Sequence, residues 1–429
     1  MHINYPLYVV ASHLLLPVAL TRLLIKSRNS PPYRERLGER FGYYRQPRCQ
    51  KPIWIHTVSV GEFNAARPLI TRLQERYPQI PLLVTTTTPT GSAEVRRFST
   101  NLDHCYLPYD LPWVVNRFLR HFKPRLAIIF ETELWPTLFR RCQHADIPII
   151  IGNARLSDRS MRGYSRFQPL IRETLRIPSR IAAATNETAQ RLQTLGAIPD
   201  RTSRVGNTKF DYQPEQEIPE QANRLRDQVL GKNRSVWIAA STHEGEEEQL
   251  IRAHMGLLQE KPDALLIVVP RHPERFDRVA DLCSDYLSTV RRSSGIQCSD
   301  ETKIYLGDSM GELPLLYAAA DIAFIGGSLQ PVGGHNPIEP AAFSKPVLFG
   351  PHVDNFREIT ALLLNTEAAL QIDNRQQLVS QLLLLLNDSQ TAKKMGAAGA
   401  RLVASHRGAS NRLMALISET LAKQSSGYL

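Results

Sequence analysis

The chain has 429 residues, 42% hydrophobic and 22% charged, a globular composition too long for one core, so two large domains are expected. A formal net charge of +11, with a pI near 9.5, favours a polyanionic partner: nucleic acid, an anionic membrane surface or a phosphorylated substrate. Five scattered cysteines, none in a CxxC, argue against a disulfide framework and a zinc site.

Residues 5–20, YPLYVVASHLLLPVAL, are apolar and are followed by Arg22, Lys26, Arg28, Arg34 and Arg36. A cleaved signal peptide carries its charges ahead of the apolar core, the reverse of this order. Residues 1–30 therefore read as an uncleaved membrane anchor with the following chain on the cytoplasmic side. Residues 31–42 read as a short basic helix followed by a loop.

From residue 51 the chain alternates. Apolar runs at 53–58, 82–86, 126–130, 147–151 and 181–184 have the length and β-branched content of buried strands. Amphipathic stretches such as 65–77 and 112–122 lie between them. From 207 regularity fades, and 213–232, with QPEQEIPEQ, reads as a linker. Strands resume at 236–240, 265–269, 304–306, 322–325 and 347–349, and the chain is helical from 376 onward. This predicts an α/β protein of two doubly wound Rossmann-like domains, 31–212 and 233–429, with a cleft between them.

Open α/β sheets bind ligands beyond the carboxyl ends of their strands, so the residues after each strand are the candidates. Glu62, in HTVSVGE (56–62), falls at a helix start, where the dipole favours the ionised form a general base requires. Glu131 and Glu133, in ETELWP (131–136), end a buried strand; one can cap the next helix while the other faces a ligand. Arg155 of NARLS (153–157) and Lys209 of GNTKFD (206–211) are candidate contacts for an anionic substrate. Arg271 of VPRHPERF (269–276) suits a bidentate phosphate clamp, and Met310-Gly311-Glu312 opens another helix.

In the stretch 321–341, DIAFIGGSLQPVGGHNPIEPA, a strand runs into the pairs Gly326-Gly327 and Gly333-Gly334 and then a helix start. Asn336 suits the N-cap and Pro337 the first turn, so free backbone N–H groups are expected to face an anion. Glu339 is placed to take ribose hydroxyls. The sequence contains no P-loop, GxSxG or HExxH pattern. Without an Asp-x-Asp pair either, a metal-free transfer from a monophosphate-activated donor is favoured, with no cofactor.

With PPYRERLGERFG (31–42), TTTTPTGS (85–92), YLPYDLP (106–112), STHEGEE (241–247) and GDSMGELPLLYAAAD (307–321), these segments resemble the 3-deoxy-D-manno-octulosonic acid (Kdo) transferases of lipopolysaccharide assembly, over residues 31 to about 360. The resemblance implies a GT-B glycosyltransferase that moves Kdo from CMP-Kdo to the lipid A precursor lipid IVA with inversion, attached to the cytoplasmic face of the inner membrane, with no nucleic-acid partner. It implies an acceptor-binding domain at 31–212 and a CMP-Kdo-binding domain at 233–429. By matched motif it makes Glu62 the base and Glu131 and Lys209 transition-state stabilisers. Pro270, Arg271, Met310, Gly311, Glu312, Asn336, Pro337, Ile338 and Glu339 fall in the CMP site. A GT-B enzyme using a UDP-sugar, and a non-catalytic nucleotide- or lipid-binding protein, are the competing readings.

Overall fold

The computed structural model describes residues 4–29, 31–44, 49–99 and 102–426. The chain forms two compact units, residues 1–211 with 407–429, and residues 212–406.

The first unit holds seven strands: β1 (Ile53–His56), β2 (Leu82–Thr86), β3 (Asp103–Tyr106), β4 (Leu126–Phe130), β5 (Ile149–Ala154), β6 (Arg180–Ala183) and β7 (Thr202–Arg204). Their order is β3-β2-β1-β4-β5-β6-β7, and every pairing is parallel. Successive side chains of a strand face opposite ways, so each inner strand feeds two cores. Trp54, Leu83, Ala127 and Ile149 enter one, while Ile53, Ile55, Leu82 and Ile128 enter the other.

The second unit repeats the plan with β8 (Val236–Thr242), β9 (Leu265–Pro270), β10 (Thr289–Arg291), β11 (Ile304–Leu306), β12 (Ile322–Ile325), β13 (Val347–Phe349) and β14 (Ala369–Gln371). The order is β10-β11-β9-β8-β12-β13-β14, again parallel.

Two expected boundaries change. The polar stretch 213–232 is not an extended linker: it contains the helix Ile218–Leu225 and a π-type turn, Arg226–Leu230, and belongs to the second unit. Ala222, Leu225 and Leu230 are buried there, enough apolar contact to fold a segment whose overall composition is hydrophilic. The helix Ala409–Ser426 does not finish the second unit but returns to the first, where Leu413 and Ile417 complete the core beside Ile128 and Phe130.

The N-terminal segment is one helix, Tyr5–Asn29, longer than its apolar run suggested. Within Tyr5–Arg28 an 18-residue window of mean hydropathy 1.7, none of it buried, makes the helix long and apolar enough to cross a membrane. Ser12, His13 and Thr21 turn back on the carbonyls of Tyr8, Val9 and Pro17 at 2.8, 2.8 and 2.9 Å, so these three side chains have partners within the helix itself. Near its start, the Arg140 guanidinium lies 4.2 Å from the Tyr5 ring, and Tyr8 donates to buried Asp110 at 2.8 Å.

Candidate active site

In the first sheet the strand order reverses between β1 and β4, and the crevice above such a point is where doubly wound sheets bind ligands. Glu62 and Glu131 follow these two strands. Glu62 lies in the first turn of the helix Val60–Arg76 and accepts the Val58 N–H at 2.7 Å, satisfying a donor that the helix start leaves open. Glu131 comes directly after β4 with φ 57°, a left-handed conformation that costs an L-residue energy and points to a site where geometry outranks comfort.

Lys209 Nζ and Arg155 Nη1 approach Glu131 Oε1 at 3.8 and 3.7 Å, ion pairs rather than tight hydrogen bonds. The turn that carries Lys209, Thr208–Asp211, is pinned at both ends. Asn153 Oδ1 accepts the Thr208 N–H at 3.1 Å, and Asp211 accepts the N–H groups of Gly408 and Ser410 at 2.6 and 2.5 Å.

Burial first, then the Glu131 charge, pushes the Glu62 carboxyl up to about 8, against the pull of the Val58 N–H and Lys209. The same two causes push Glu133 up to about 7. Three carboxyls thus share one field, with Glu131 paired to the cations. Against the expectation that the helix dipole keeps Glu62 ionised, burial and the neighbouring charge leave it mostly protonated at neutral pH, and only its ionised fraction can act as a base. Neither Glu131 nor Glu133 caps the helix Pro136–His144: Asp110, far upstream, accepts the Thr137 and Leu138 N–H groups at 3.0 and 2.7 Å. Sequence reasoning missed Asp110 because its partners are not its neighbours.

In the second sheet the order reverses between β8 and β12. Here the expectation of free N–H groups at Gly326-Gly327 fails. Glu246, fully buried, turns its carboxylate into the loop and accepts from Gly327 N at 2.6 Å, Ser328 N at 3.0 Å, Leu329 N at 2.8 Å and His243 N at 2.9 Å. The helix after the second glycine pair, Ile338–Ala342, has only five residues, so its dipole is small. The N-cap is Pro337 rather than the expected Asn336, which stands one residue earlier, its Oδ1 accepting the Ile338 N–H at 3.2 Å while Nδ2 donates to Glu339 at 3.0 Å. Pro337 and Ile338 are buried, so they offer a ligand backbone only.

Pro270 closes β9, and Arg271 follows with its N–H on Thr242 O at 3.0 Å. Burial and then the Arg271 charge push His335 down to about 3, which keeps that imidazole neutral. His335 and His243 stack, ring planes 6° apart, with their Nε2 atoms 2.8 Å from each other. Arg275, the other arginine of this segment, is committed to buried Glu247 at 2.8 and 3.0 Å. Met310 is exposed and Gly311 takes φ 89°. The Glu312 carboxylate is held by Arg292 at 2.7 and 3.1 Å and by Ser309, which fixes the turn. The predicted residues thus form two groups, Glu62, Glu131 and Lys209 in one unit and the remainder in the other.

A family model for 3-deoxy-D-manno-octulosonic-acid transferase (kdotransferase) matches residues 35–212. The 3-deoxy-D-manno-octulosonic acid transferase of Haemophilus influenzae is 41% identical over 412 residues, 95% of this chain and 96% of that one. The chain belongs to the Kdo transferase family. The Bordetella pertussis transferase is 36% identical, over 86% of this chain and 87% of that one. This Kdo transferase is a glycosyltransferase acting in lipopolysaccharide core biosynthesis. Its fold is GT-B: the solved UDP-GlcNAc 2-epimerase of Neisseria meningitidis, at 15% identity, superposes with a TM-score of 0.57 over 87% of this chain and 100% of that one.

Proposed function

We propose that this Kdo transferase takes Kdo from CMP-Kdo and attaches it, with inversion, to lipid IVA at the cytoplasmic face of the inner membrane. The observation that carries the reading is the Glu62 carboxyl, raised to about 8 beside the Glu131–Lys209–Arg155 group. Glu62 takes the proton of the acceptor hydroxyl as its oxygen bonds to the anomeric carbon and the bond from that carbon to the phosphate oxygen breaks. CMP departs with the electron pair as a stable phosphate monoester, so its leaving needs no proton donor. Glu131 faces the positive charge developing on the sugar, and Lys209 and Arg155 meet the anionic groups of the substrates.

The first unit supplies the acceptor side and the second the donor side. Arg271 meets the donor phosphate, the Met310-Gly311-Glu312 turn lines the nucleotide, and Asn336 orients Glu339 toward the ribose hydroxyls. The helix Tyr5–Asn29, followed by basic residues, holds the enzyme against a membrane whose acceptor is itself a phosphorylated lipid. The test is transfer from CMP-Kdo to tetraacylated lipid A disaccharide precursor in the presence of EDTA, with product masses read directly. Stepwise Kdo increments are expected. No product from this pair, together with turnover of a UDP-sugar, would overturn the donor assignment.

A further inference from the structure

Consecutive backbone N–H groups converging at a glycine turn form a nest, the device by which nucleotide folds hold phosphate. In this chain the nest of Gly327, Ser328 and Leu329 is already filled by a side chain of the same protein, Glu246. The filled loop also anchors neighbouring segments of the second unit. Gly334 donates to Gly327 O at 2.7 Å, so the second glycine pair hangs from it. A Cβ on Gly327 would stand 3.1 Å from His335 Cδ2 and 3.4 Å from His243 Cδ2, so both imidazoles rest on this glycine. Ser328 ties the same loop to the end of β13, its Oγ accepting the Gly350 N–H at 2.7 Å. Asn336 follows His335 directly in the chain, and Glu339 comes three residues after Asn336.

We propose that Glu246 is an internal counter-anion and a positioning residue of the donor site: its carboxylate fills the glycine nest, so this loop supports His335 and the Asn336–Glu339 segment instead of binding a phosphate of the donor. The proposal rests on the CMP-Kdo reading above. Four N–H groups without an acceptor in a buried loop would pull it out of shape, and everything anchored on Gly327 would move with it.

The experiment compares full-length wild type, Glu246→Gln and Glu246→Ala, with sodium formate or sodium chloride at equal ionic strength. For both variants the KM for CMP-Kdo is expected to rise about tenfold or more, while kcat at saturating donor stays within about threefold. In Glu246→Ala, formate enters the vacated nest: it lowers the donor KM and raises Tm, and it does neither in wild type. If Glu246→Ala folds only with formate, that result supports the same conclusion. An unchanged donor KM in Glu246→Gln, or a Glu246→Ala protein indifferent to formate, overturns the proposal. Wild type inert toward CMP-Kdo would overturn the donor reading instead, and the formate dependence of Tm would still report on the nest.

Discussion

Replacing Glu62 by Gln keeps the shape of the side chain and removes the only property the mechanism asks of it. Loss of a positioned base costs about 10²- to 10⁴-fold in turnover. With the carboxyl at about 8, roughly one-tenth of wild-type enzyme carries the ionised base at pH 7, so kcat/KM climbs close to tenfold per pH unit and levels off above 8. Stability runs the other way. A carboxyl raised from 4.5 to about 8 in the fold contributes stability that is complete below its unfolded value and is lost as pH rises through 8. The shift of about 3.5 units sets a ceiling near 5 kcal/mol, and solvent access to a half-buried side chain reduces this to roughly 1–3 kcal/mol. Glu62→Gln is therefore expected to be inactive and to melt above wild type at pH 9, the difference closing toward pH 5. Product mass spectrometry across pH 6–9 and thermal melts at both ends check this. A variant within tenfold of wild-type turnover refutes it. So does a rising limb that survives with its midpoint near 7, which would give the base role to Glu133.

Lys209→Met retains the length of the stem and removes the charge beside Glu131, and turnover should fall about 100-fold. Because Lys209 also draws the Glu62 carboxyl down, the remaining activity should have its pH limb displaced upward, which a pH–rate profile reads directly. Asp110→Asn leaves buried N–H groups of Thr137 and Leu138 competing for one oxygen and should cost about 1–3 kcal/mol in denaturant melts, whereas Tyr8→Phe, which loses one hydrogen bond to the same carboxylate, should cost about 1 kcal/mol.

The inner strands were legible because a strand with neighbours on both sides and helices on both faces is apolar throughout, as Leu126–Phe130 and Ile322–Ile325 are. The four strands that the sequence did not announce, β3, β7, β10 and β14, are the four sheet edges. Each has one neighbour and a partly exposed face, so Asp103-His104-Cys105-Tyr106 and Thr202-Ser203-Arg204 carry no continuous apolar run. Glu62 and Glu131, after the inner strands β1 and β4, were legible for the same reason, whereas Lys209 follows the unannounced edge strand β7 and stood out only by its motif; the structure brings it to 3.8 Å from Glu131. What sequence could not disclose were partnerships over distance. Asp110 caps a helix 27 residues on, and Glu246 fills a glycine loop 81 residues on, so a loop that looked vacant was occupied.

The return of Ala409–Ser426 to the first unit makes the second unit, topologically, an insertion within the first. During synthesis the strands of the first unit leave the ribosome early, yet their core lacks Leu413 and Ile417, and the Lys209 turn lacks the N–H groups of Gly408 and Ser410, until the second unit has been made. The later-translated unit can close before the earlier one, inverting the usual N-terminal-first order. A nonsense mutation at Ala409 would thus injure the unit that is translated first.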